Sequence, residues 1–172
     1  MTCLFELSIA LLITLLNGFF VMAEYSLVRI RKSRLDELIR QGKSRANTVL
    51  KMSEKLDTYL SATQLGITAS SLLLGWFGGP LLAEMFRGMF GVSAGTWYDH
   101  SLVFACAFLI IVFLHVVFGE LVPRTIALGK VEQVAMAVAY PLVFFHYLLY
   151  PLVVLFNLSL IHISEPTRQA EI

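Results

Sequence analysis

The sequence predicts an all-α membrane protein with three transmembrane helices and a cytoplasmic two-helix insertion, and three observations support this. Of 172 residues, 58% are apolar and 15% charged, with a mean hydropathy of +0.77. Too little polar surface remains to cover a soluble globule, so the bilayer must be the solvent. Three apolar runs reach the roughly 20 residues that a helix needs to cross hydrocarbon. Nine of the thirteen Lys and Arg residues fall between the first two runs.

The first run, Leu4 to Val28, follows no basic n-region and precedes no small-residue cleavage pattern, so it is expected to stay as a membrane helix. Arg29, Arg31, Lys32, Arg34, Arg40, Lys43, Arg45, Lys51 and Lys55 come next. By the positive-inside rule this loop is cytoplasmic and the N-terminus lies outside. Residues 29–57 are expected to form two short amphipathic helices. Ser33 would cap the first, Asp36 and Glu37 would occupy its first turn, Gly42 would end it, and Ser44 would cap the second. Such a charged hairpin suits anionic headgroups.

Asp57 then places an acceptor at the free amides that open the second run, Tyr59 to Phe77. From Phe77 to Ser101 the glycines 78, 79, 88, 91 and 95 and Pro80, with Trp76 and Trp97 at the edges, predict an external loop with interfacial anchors. The third run, Leu102 to Val122, is followed by Arg124 and Lys130, which agrees with a cytoplasmic end. Val134 to Phe156 is equally apolar but holds Pro141 and Pro151; hydropathy alone makes it a fourth span. Leu158 to Arg168, LSLIHISEPTR, resembles one frame of a transposase-type sequencing adapter, so 158–172 is expected to be a non-native tail.

Polar groups are expensive in hydrocarbon and mark protein interiors or wet cavities. Asn17, Val21, Glu24 and Val28 share a helix face, so Asn17 and Glu24 can point into one cavity, and Gly18 permits close helix approach. Glu24 has a second reading, snorkelling at the cytoplasmic edge. Ser61, Gln64, Thr68, Ser71 and Gly75 form a polar and small stripe that serves either helix packing or an oxygen-lined ion path. Pro123 has no amide hydrogen, so in an α-helix the Gly119 carbonyl loses its partner, with the Glu120 carboxylate beside it. Oxygens of these kinds suit a hard cation such as magnesium. The alternative is a proline kink in which Glu120 pairs with Arg124. His115 reads as a hydrogen-bonded core histidine, and Cys3 and Cys106 as inert packing residues. No catalytic or phosphate-binding motif and no surface suited to nucleic acid is present, so an enzyme is not expected.

NGFFVMAEYSLVR from Asn17 to Arg29, YLSATQLGIT from Tyr59 to Thr68, Leu74-Gly-Trp76 and FGELVP from Phe118 to Pro123 together resemble the transmembrane domain of the CNNM/CorC, or hemolysin-like, family. The resemblance covers residues 1–157. It implies a homodimer in a bacterial inner (plasma) membrane, with three spans per subunit and an external N-terminus. It also implies a juxtamembrane helix over 131–157, lying along the cytoplasmic interface and broken by its prolines. The implied activity is magnesium export in exchange for sodium. Nucleotide would bind only through cytoplasmic CBS domains that lie beyond this chain. The implied ligands are the Gly119 carbonyl, the Glu120 carboxylate and Ser71, then Asn17 and Glu24, with Thr68 from the same stripe. Many relatives carry a small hydroxyl residue where this chain has Val21. The rival expectation is a non-transporting membrane scaffold or regulator whose basic loop recruits a partner.

Overall fold

The computed structural model describes the backbone of residues 2–90 and 97–168, and the side chains of Phe5, 7–78, 105–106, 108–152 and Val154. Every described element is helical: α1 (Thr2–Arg29), α2 (Lys32–Arg40), α3 (Ser44–Glu54), α4 (Leu56–Phe90), α5 (Trp97–Leu114), a π-helical segment (His115–Leu121), α6 (Val122–Gly129) and α7 (Val131–Arg168). Among the described residues three stretches are long and apolar enough to cross a membrane, Leu7–Arg29, Phe108–Gly129 and Val131–Leu152. The 59–77 run is less apolar than these, because Ser61, Thr63, Gln64, Thr68, Ser70 and Ser71 interrupt it.

The basic insertion forms the expected helical pair, with different caps. Arg31, not Ser33, precedes α2, because its carbonyl accepts the first amides, from Arg34 at 3.1 Å and Leu35 at 3.2 Å. Asp36 and Glu37 therefore fall beyond the first turn. Lys43 precedes α3, so Ser44 is its first helical residue and not its cap. Gly42 does end α2. With φ +80 it lets the amides of Gly42 and Lys43 turn back to Ile39 and Leu38 at 2.9 and 3.1 Å, a Schellman closure. Leu35 and Leu38 of α2 and Ala46, Val49 and Met52 of α3 are buried. Arg34 ties the pair to α7 by donating to Glu132 at 2.6 Å and pairing also with Glu37. These two carboxylates hold the guanidinium even further above neutrality than usual.

Two expectations of broken chain are corrected. The predicted loop from Phe77 to Ser101 is helical to Phe90 and again from Trp97; Gly91 and Gly95 lie outside the described residues. Gly78, Gly79, Pro80 and Gly88 are thus carried inside α4. The prolines of the last segment do not break it either, since α7 is continuous through Pro141 and Pro151. Both prolines are exposed, and so are Ala137 and Tyr147, four residues before them, whose carbonyls lose an amide partner. The defects therefore fall on the outer face, where the helix can bend without disturbing its packing.

The larger core joins Phe20, Ala23 and Leu27 of α1 to the α2–α3 pair, Ala127 of α6 and Val134, Ala135, Val138, Ala139 and Leu142 of α7. Phe19, Phe20 and Phe145 interlock within it at ring separations of 5.1–5.7 Å. A smaller core of Ile13, Leu74 and Ile111 joins α1, α4 and α5. Asn17 lies on α1 between the two.

Candidate functional site

An amide in the middle of an apolar helix must find a partner, and Asn17, 1% exposed, finds one on another helix. Its Nδ2 donates to the Gly119 carbonyl at 2.8 Å. This corrects the expectation of a free Gly119 oxygen: the side chain of α1 supplies a donor. The bond also fixes the amide, because the flipped orientation would set oxygen against oxygen. A carbonyl has two lone pairs, and the Asn17 amide takes one of those on Gly119.

The backbone there is not α-helical. From His115 to Leu121 the helix widens, and the Val122 amide reaches back five residues to Val117. π-turns of this kind are frequent at functional sites. The α-register assumed for Pro123 is suspended at this point, a feature that spacing and hydropathy did not reveal. Close approach holds the segment against α1. A Cβ on Gly18 would meet the Pro123 ring at 2.9 Å, and one on Gly119 would meet His115 Nδ1 at 3.0 Å and Asn17 Nδ2 at 3.2 Å.

Ser71 of α4 closes a third side. Its hydroxyl donates to the Ile67 carbonyl at 2.9 Å and lies 3.1 Å from His115 Nε2. Segments from α1, α4 and the π-helix thus converge through Asn17, Ser71, His115 and Gly119. Two buried atoms in this group, Asn17 Oδ1 and His115 Nδ1, have no hydrogen-bond partner. An unpaired buried polar atom costs about 1–3 kcal/mol.

The two carboxylates stand at the margin. Glu24 is half-buried and near enough to Glu120 for their charges to interact, while Glu120 itself is exposed. Neither forms an ion pair among the described residues. Arg124 lies with its guanidinium 4.6 Å from the Tyr25 ring centroid, so the expected alternative pairing with Glu120 is not formed.

The stripe on α4 is only partly at the site. Ser71 joins it, but Thr68, Gln64 and Gly75 are exposed. The face of α4 that packs against α1 carries Ala62, Thr63, Gly66 and Ser70 instead, all buried. Val21 is 1% exposed and apolar. His115 is half-buried and hydrogen-bonded to Ser71, in line with the expected hydrogen-bonded core histidine, and its spacing of four from Gly119 puts both on one helix face. Among the described residues no three His, Cys, Asp or Glu side chains gather to hold a metal. A bound cation here would need neutral donors, of which Asn17 Oδ1 is the best placed.

Residues 7–170 match the family model described as the Cyclin M transmembrane N-terminal domain. The chain is 41% identical to UPF0053 protein YugS of Bacillus subtilis over 143 residues, which cover 83% of this chain and 33% of that protein. It is 42% identical to UPF0053 protein YhdP of the same organism over 152 residues, 88% of this chain and 34% of that one. Uncharacterized protein Rv1841c of Mycobacterium tuberculosis is 38% identical over 149 residues, 87% of this chain and 42% of that protein. The chain therefore spans well under half the length of each.

Proposed function

Because this chain belongs to the family of Cyclin M transmembrane N-terminal domains, we propose that it is the membrane part of a divalent-cation transporter that moves magnesium, with sodium as the coupled ion. The observation that carries the reading is the pair of buried atoms at Asn17 and His115 that have no partner among the described residues, at the point where Asn17 meets the Gly119 carbonyl. Groups of this kind satisfy a partly dehydrated cation, and the nearby charges of Glu24 and Glu120 would offset part of its charge. Neutral donors keep binding weak enough for release. Sodium would compete for the same cavity and favour one of its orientations.

A multi-pass chain with bacterial relatives belongs in the plasma membrane; its basic α2–α3 insertion favours a cytoplasmic position for that side and an external N-terminus. Export is the direction we infer from the family resemblance. Exposure of Gln64 and Thr68 on α4 supports a homodimer, since polar groups at membrane depth seek protein neighbours. The full-length protein would add CBS domains that bind nucleotide.

The test is magnesium flux in proteoliposomes made with the full-length protein. Glu120→Gln and Asn17→Ala should each lower flux at least about tenfold, as loss of groups supporting a metal does. Unchanged flux in both would reject the site. Val21, apolar and buried on the Asn17 face, favours one second reading, a non-transporting scaffold. An intact wild-type protein that moves no divalent ion would select it.

A further inference from the structure

We propose that the cavity between the α2–α3 turn and the first two turns of α7 binds the headgroup of an anionic glycerophospholipid, drawn from the leaflet on the side of the basic insertion. The inference is independent of the ion pathway and goes beyond the transport reading.

The cavity has a volume of about 450 Å³, with residues 42–45 on one wall and Gln133, Met136 and Ala137 on the other. Gly42, at φ +80, turns the chain sharply enough to bring both Lys43 and Arg45 to the first wall. Both side chains are exposed, and among the described residues neither forms an ion pair. The acidic residues nearest each wall in the chain, Glu37 and Glu132, are already held by Arg34. Residues 29–55 carry nine Lys and Arg against three Asp and Glu, so positive charge is left over at this junction. Its partner must be an anion from outside the chain.

Two further features select a lipid over a soluble anion. The Arg45 guanidinium lies 5.6 Å from the centroid of the Tyr140 ring. Stacking of this kind occupies the flat face of the guanidinium and leaves its N–H edge for a phosphate. Beyond the cavity the same face of α7 continues through Tyr140, Phe144, Tyr147 and Leu148, at helical spacing and all exposed. A phosphate held by Lys43 and Arg45 therefore sits at the head of an apolar stripe, with tyrosines that suit a membrane interface. A soluble phosphate would use only the head of this arrangement, whereas an acyl chain also covers the stripe. Because the walls belong to different elements, one bound lipid joins the basic insertion to α7, as Arg34 and Glu132 also do.

The test titrates delipidated full-length protein in detergent with dioleoyl phosphatidylglycerol or dioleoyl phosphatidylcholine, and counts bound lipids by native mass spectrometry. The wild type should bind its first phosphatidylglycerol at least about tenfold more tightly than phosphatidylcholine. Lys43→Gln combined with Arg45→Gln should weaken phosphatidylglycerol binding about twenty-fivefold, at about fivefold for each basic residue near a charged headgroup. Lys32→Gln combined with Lys51→Gln removes the same charge from the same helical pair outside the cavity, and should change binding less than about threefold. All four side chains are exposed, so both double variants keep the core intact. Equal losses in the two double variants would reveal a diffuse basic surface and overturn the site. Equal binding of the two lipids would overturn it by removing the role of charge. Displacement of the lipid by equimolar inorganic phosphate would overturn it by making the ligand a soluble anion.

Discussion

At the residue scale, three glycines differ sharply in what surrounds them. A Cβ on Gly66 would lie 2.6 Å from three atoms of the Phe20 ring, and Phe20 is 2% exposed and held by Phe19 and Phe145. Gly18 faces the Pro123 ring, whereas Gly75 has nothing within 4 Å. Gly66→Ala and Gly18→Ala should each destabilise by about 1–3 kcal/mol, the usual cost of overpacking. Gly75→Ala should be neutral or stabilise by up to about 1 kcal/mol, the helix-propensity gain of alanine over glycine. Thermal denaturation in detergent reads all three. Asn17, Gly18 and Gly119 were legible in the sequence because a polar or small residue inside an apolar run stands out. The exposure of Thr68 was not legible, because spacing defines a stripe but not the direction in which it faces. The contact between His115 and Ser71 was hidden because it joins two helices that lie 44 residues apart in the chain.

At the scale of elements, the apolar pattern located α1, α2, α3 and the last span, because burial of one helix face leaves a periodic trace. Glycine and proline misled where the chain stays helical, in α4 around Pro80 and in α7 at Pro141 and Pro151. Punctuation signals learned from water-exposed turns lose force when neighbouring helices and lipid leave no alternative to hydrogen bonding within the helix. The α2–α3 pair lies outside the spans, so its docking is governed by the ordinary hydrophobic effect. Leu38 is 1% exposed in the core shared with α1 and α7. Leu38→Ala should weaken that docking by about 2–5 kcal/mol. Hydrogen exchange across residues 32–55 should accelerate while α1 stays protected; uniform protection in the variant would show that the pair is held by other contacts.

For the whole molecule, a polar site lies between two apolar cores, and the outer surface is rich in large apolar side chains such as Leu11, Leu15, Leu109 and Phe113. That surface fits lipid, whereas the Gln64–Thr68 side of α4 does not. Cysteine placed at Thr68 in full-length protein in native membranes should form an oxidant-dependent disulfide dimer, while cysteine at Ala62, which is fully buried against its own chain, should not. Equal cross-linking at both, or at neither, would argue against an α4-to-α4 interface. Fold class was available from composition and charge placement alone. The assembly was not, because one chain's sequence does not say which exposed face meets lipid and which meets protein.

The widened turn between His115 and Leu121 makes chain length itself a carrier of information. One residue removed there, for example Val117, would let the rod settle into even winding, with the helix beyond still in register but without the widened turn that holds Gly119 against Asn17. Such a protein should keep its helical circular dichroism and its place in the bilayer, yet lose ion movement, because the turn that presents the Gly119 carbonyl to Asn17 would be gone. A working deletion mutant would mean that the surplus residue is a harmless remnant of an old insertion.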